Sequence, residues 1–181
     1  MPTVWTGHWK GTSWVLGSLT EEQALLSFIK TDNVYYKYYD DMLILLKTRL
    51  RISELCGLTV KDTDFKNEVI HIGHQLLKNK EQGYYIETPK TKNGIRQVPL
   101  SEETIKAFQR IIKSRPKKKS IEIDGHSDFV FVNPKSKPKV AIDYNALFVR
   151  MVKKYNKHHK DTIPCHILHR IRYAIRSVQC W

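Results

Sequence analysis

Cysteine is scarce and unpatterned in this 181-residue chain. Cys56, Cys165 and Cys180 are odd in number and never stand in a CxxC spacing. That excludes a disulfide framework and a cysteine-based zinc site, and free thiols are expected. No apolar run reaches the roughly 18 residues that a membrane helix needs. The N-terminus carries polar and aromatic residues where a signal peptide would have an apolar block, so a cytoplasmic location is expected. Low-complexity tracts and internal repeats are also missing. The telling shortage is acid: 18 Asp and Glu face 31 Lys and Arg, a formal net charge of +13. Such a chain attracts polyanions, nucleic acid first. Charge alone does not separate this from a ribosomal protein or one that sits on a membrane surface.

The length suits one domain with a real core. Residues 1–18 hold Trp5, Trp9 and Trp14 without periodicity and read as an irregular lead-in. Thr20 with Gln23 has the capping-box spacing, predicting a helix from there to about Lys30. A second helix is predicted near Tyr35 to Thr48, with Tyr39, Met42, Leu43 and Leu46 on one side and Asp40 and Asp41 on the other. Arg51 to Gly57 reads as a third, closed by Gly57. Val69 to Ile72 alternates as a strand. Tyr84 to Thr88 and Ile95 to Leu100 read as a β-hairpin joined through Asn93-Gly94. Ser101 caps a helix over Glu102 to Lys113, and Arg115 to Lys119 is a basic loop. Phe129 to Val132 reads as a short buried strand, and Asp143 caps a helix to about Lys157. The fold class is α+β, mostly helical, with a small antiparallel sheet.

Two segments carry the chemistry. In Arg51-Ile-Ser-Glu-Leu-Cys-Gly-Leu58 an arginine opens a short helix whose apolar side is Ile52, Leu55 and Leu58. In Thr88-Pro-Lys-Thr-Lys-Asn-Gly-Ile-Arg-Gln-Val-Pro-Leu100 a lysine precedes the Asn93-Gly94 turn. Together they resemble the catalytic domain of tyrosine recombinases, the phage integrase family, and most closely the integrases of conjugative transposons. The resemblance covers roughly Leu19 to Pro164 and implies site-specific DNA recombination. In that chemistry a tyrosine attacks phosphorus without metal or nucleotide, so protein cations neutralise the phosphorane. No cofactor is expected, and double-stranded DNA is the implied partner.

By the same resemblance Arg51 is a phosphate clamp, a role the planar guanidinium fork suits. The alternative is an ordinary surface arginine. Lys92 matches the lysine that protonates the departing 5′-oxygen, with Lys90 its rival; Arg96 reads as a contact to backbone phosphate. Glu54, one turn from Arg51, could orient a neighbouring basic group. His71 and His74 are read as core or surface histidines with no shared metal, His158-His159 as a solvated helix end. Tyr35, Tyr36, Tyr38 and Tyr39 lie too early to be the nucleophile and are assigned to helix packing. One residue departs from the family pattern Thr-Gly-x-Arg: Arg49 stands where glycine is usual. A positive φ there would cost on the order of 1–3 kcal/mol.

The family's His-x-Leu-Arg-His box and later tyrosine do not appear in frame. Back-translating Pro164 to Trp181 and reading from the third base of each codon permits Leu-Pro-His-Ile-Thr-Pro-His-Thr-Leu-Arg-His-Thr-Phe-Cys-Thr-Met-Leu, which contains that box. At the arginine, Tyr173 and Ala174 allow only Arg or Cys. A frameshift near Thr162 to Pro164 is therefore expected, making residues 165–181 an out-of-frame tail and 19–164 a partial catalytic domain. Intact family members assemble as tetramers on DNA; this chain is expected to be monomeric and catalytically dead. The rival readings are a non-enzymatic DNA-binding remnant and, from charge alone, an RNA-binding protein. The nucleotide sequence after codon 162 decides the frameshift: codons that forbid the shifted string would end it.

Overall fold

A computed structural model describes residues 19–89, 94–116 and 121–159. The lead-in, Lys90 to Asn93, Lys117 to Ser120 and the stretch from Lys160 onward, with Cys165, Tyr173 and Cys180, lie outside the described residues. Helix α1 spans Leu19–Thr31, and a 3₁₀ turn (Tyr36–Tyr38) leads into α2, Tyr39–Thr48. Helix α3 is Ile52–Gly57. Strands β1 (Thr63–Asp64), β2 (Val69–Ile72), β3 (Gln75–Asn79), β4 (Gly83–Glu87) and β5 (Arg96–Pro99) follow, then α4 (Glu102–Ser114) and α5 (Ala141–His158).

Helix α2 is the axis of the core. Asp41, Met42, Leu43, Ile44 and Leu45 are consecutive and all buried, packed by α1 and α4, with Tyr144 of α5 reaching Asp41. The amphipathic expectation for this helix fails at Asp41, which points inward because Lys139 and Tyr144 supply its partners. Tyr35 is buried and Tyr38 and Tyr39 are half-buried, as packing residues should be; Tyr36 is exposed instead. Helix α1 already includes Leu19, so Thr20 sits inside the helix and is not its cap. Ser101 does cap α4, its Oγ accepting from the Thr104 N–H. Helix α5 begins two residues before Asp143, whose carboxylate accepts the Val140 N–H from the third helical position.

The sheets correct the expected hairpin. Strand β5 pairs antiparallel with β2, Ile70 opposite Val98, in a sheet ordered β1-β2-β5. Strand β4 pairs with β3, Leu76 opposite Ile86, in a separate two-stranded sheet. The two predicted hairpin strands are thus not partners. Strand β4 stops at Glu87, and Pro89, which lacks an N–H, prevents the ladder from continuing to a tight turn at Asn93-Gly94. The true hairpin turns at Asn79 to Gly83, where Asn79 Oδ1 accepts the Gln82 N–H at 2.6 Å and Gly83 takes φ 75°. Phe129, Val130 and Phe131 are fully buried as expected, but they form only isolated bridges, Thr59 to Phe129 and Val132 to Pro138, not a strand.

Among the described residues no helix is long and apolar enough to cross a membrane. Cys56 is a free thiol in the core, its pKa pushed well up by burial and then by the charge of Asp41.

Candidate functional site

The turn between α2 and α3 aims the first arginine. Arg49 has φ 53° and ψ 29°, the left-handed conformation anticipated from its position. Its N–H still bonds to Leu45 O, so α2 ends in a left-handed cap held by a residue with a Cβ. Leu50 then drops into the core, and Arg51 is extended (φ −67°, ψ 145°) as the N-cap of α3. With Ile52, Leu55 and Leu58 buried beneath it, the Arg51 side chain is left 58% exposed.

Glu54 completes the start of the helix. Its Oε2 accepts the Arg51 N–H at 2.9 Å, satisfying a donor that a helix N-terminus would otherwise orphan. The carboxylate is only 4% exposed, yet it meets two cations. Arg96 donates to it through both Nη atoms at 3.0 and 2.8 Å, and Arg51 Nη1 lies 3.9 Å away. The expectation that Glu54 orients a basic group is met, with Arg96 as the group held face-on. This bond, ahead of the opposing desolvation, raises the Arg96 pKa, so the guanidinium is permanently charged.

Helix α3 reaches both sheets through neighbouring residues. Glu54 holds Arg96 at the start of β5. Ser53 Oγ donates to Gln75 Oε1 at 2.8 Å, and Gln75 Nε2 donates to Glu87 Oε2 at 2.7 Å, at the end of β4. The segment between β4 and β5 is therefore tied at both ends to one turn of one helix. It contains Lys90 and Lys92, which lie outside the described residues. A Cβ on Gly94 would run into the Pro89 ring, so glycine is needed there for the close approach of the segment's own ends. At the far end of α3 a Cβ on Gly57 would meet Leu76 N at 2.9 Å; the helix sits on the β3 backbone.

Sequence reading found Arg51, Glu54 and Arg96 but not the Ser53–Gln75–Glu87 chain, whose members are ordinary polar residues far apart in sequence. Of the two histidines only His71 is on a strand, β2, and it is exposed; His74 lies between β2 and β3 and is buried. His74 Nε2 lies 2.7 Å from Gly57 O, and its ring is tilted against His126 at 4.1 Å. No group of His, Cys, Asp and Glu among the described residues could hold a metal ion. His158 and His159 are exposed, with His159 stacked on Tyr155 at 4.0 Å. What the cluster offers chemically is fixed positive charge on a rigid base, suited to phosphate oxygens.

Known proteins resemble this chain over most of its length. The transposase of transposon Tn916 from Enterococcus faecalis is 55% identical over 158 residues, 86% of this chain and 39% of that protein. The Tn1545 transposase of Streptococcus pneumoniae matches to the same extent. The chain thus spans well under half the length of these curated relatives. The Tn1549 transposon integrase, solved in complex with circular intermediate DNA, superposes with a TM-score of 0.82 at 48% identity, over 91% of this chain and 54% of that one. XerA recombinase shares the fold at TM-score 0.58 and 19% identity. The profile of the Phage integrase family matches residues 18–174, and the chain belongs to that family.

Proposed function

We propose that this chain is a partial catalytic domain, residues 19–164, of a transposon integrase. It binds duplex DNA through Arg51 but does not cut it. The observation that carries this is the Arg51–Glu54–Arg96 cluster: a buried carboxylate fixes a surface site where Arg51, 3.9 Å from it and 58% exposed, is open to phosphate. Its setting, a fold matching a DNA-bound integrase at nearly half identity, supports the same reading. In the complete reaction a tyrosine hydroxyl gives up its proton to water as its oxygen bonds to phosphorus, and the 5′-oxygen leaves, taking a proton from Lys92 or Lys90; Arg51 offsets the negative charge that builds on the phosphoryl oxygens. Binding needs only the cations, whereas cleavage also needs the second arginine box, which residues 165–181 do not supply in frame. The chain would act in the cytoplasm, as a monomer, on its DNA.

Two measurements test this. In a salt titration, duplex DNA should bind with affinity falling linearly in log salt, and more tightly than an RNA hairpin of equal length; a preference for RNA would overturn the assignment. A nicked duplex that traps covalent intermediates should give no protein–DNA adduct. Any adduct would restore the enzyme reading against that of a DNA-binding remnant.

A further inference from the structure

We propose that a second site, a cavity at the N-terminal end of α2, docks a short amphipathic segment of a partner protein whose apolar side chains are flanked by Asp or Glu. The cavity encloses about 1010 Å³ between α2, the end of α4, residues 130–134 and the start of α5. Its apolar walls are Ile111, Pro116 and Pro134, laid over the buried Phe131 and Leu147. An apolar strip continues outward along α5 through Ala146 and Ile142, the latter 71% exposed.

Charge selects the occupant. Three carboxylates line the cavity, and each is engaged. Asp40 accepts from Arg110 at 3.0 and 2.6 Å, Asp41 from Lys139 and Tyr144 at 2.5 and 2.7 Å, and Asp143 from the Val140 N–H at 3.2 Å. Lys37, Arg115 and Arg150 also line it, and among the described residues none has a carboxylate partner. Arg115 is locked by bonds from Nη1 to the carbonyls of Asp128 and Phe129, while its buried Nε–H donates to nothing. Apolar walls under a cationic rim reward a segment that brings hydrophobic side chains and carboxylates together. Duplex DNA is convex and polar and would leave the walls unfilled.

The cavity is separate from the candidate DNA site. It shares no lining residue with Arg51, Glu54 or Arg96. Ten-residue α2 rises about 15 Å between the two, with Asp41 at one end and Arg51 beyond the other.

The test is selection of a random displayed-peptide library on the 181-residue chain, followed by fluorescence polarisation of the selected peptides. Selected sequences should combine Leu, Phe or Trp with Asp or Glu. Ala146→Trp, at an exposed helical position, and Arg150→Glu should each weaken binding about tenfold. The unfolding midpoint of Ala146→Trp should not move, and lysine in place of the peptide acid should rescue Arg150→Glu. The proposal is overturned if selected peptides lack an acidic excess, if Ala146→Trp binds them unchanged, or if duplex DNA displaces them. It is equally overturned if the chain runs as a dimer that Ala146→Trp dissociates, which would make a second copy the occupant.

Discussion

Asp41 and Glu54 are carboxylates of equal burial, 4% exposed each, at opposite ends of the α2–α3 segment. Asp41 turns its charge inward: Lys139 and the buried Tyr144 hydroxyl consume it beneath the cavity. Glu54 turns its charge outward, spending both oxygens on Arg96 and its own helix start, and sets the base from which Arg51 projects. Burying a carboxylate is costly in both places. One cost holds the core together, and the other fixes a cationic surface.

The contrast is sharpest under deletion. Asp41→Ala strands Lys139 and a buried tyrosine hydroxyl, and urea unfolding should show a loss of about 3–5 kcal/mol. DNA affinity of the folded fraction should stay as in the wild type. Glu54→Ala should lose less, about 2–3 kcal/mol, because water can reach part of Arg96. It should also steepen the salt dependence of DNA binding by about one ion, since Arg96 is freed for a phosphate. If instead Asp41→Ala alters the salt slope, the two carboxylates are not divided in this way.

The inward site should also be alkali-sensitive. Burial, then the charge of Asp41, pushes the Tyr144 hydroxyl and the Cys56 thiol well above their ordinary values of 10.0 and 9.0. Above pH 9 the unfolded chain releases protons that the folded one keeps, so stability falls as pH rises, by about 1.4 kcal/mol per pH unit per group. Tyr144→Phe should flatten the part of the profile above pH 10; an unchanged profile would remove Tyr144 from the account.

Arg51→Ala should change stability by no more than about 0.5 kcal/mol while reducing the salt slope of DNA binding by about 1. A destabilised variant would make Arg51 structural and not a phosphate contact. A gain in place of a loss belongs to the turn between the two carboxylates. Arg49→Gly should raise the unfolding free energy by about 0.5–1 kcal/mol, relief of the left-handed strain net of the added entropy of glycine.

Local pattern carried the sequence reading as far as local pattern can. The helices, their Ser101 and Gly57 boundaries and the backbone state of Arg49 were all legible, because each depends on neighbours within a turn. Strand pairing was not. Leu76 and Leu77 are adjacent and both buried, so β3 shows no alternation, and the Asn93-Gly94 signal attached β4 to the wrong partner. Asp41 misled for a related reason: its partners, Lys139 and Tyr144, lie about a hundred residues away, and without them an aspartate in the first turn of a helix belongs outside. Glu54 was recognised as an orienting group, but nothing near it in sequence names Arg96.

The double tether of the β4–β5 segment has a mechanical consequence. Its two anchorages, Glu87 and Arg96, hang from adjacent residues of α3, like the ends of a span fixed to one pier. Any tilt of α3 against α5 therefore carries Arg51 and both ends of the span together. The distance from Arg51 to the span's two anchorages is set around one short helix, and the rest of the domain can shift about it without changing that spacing.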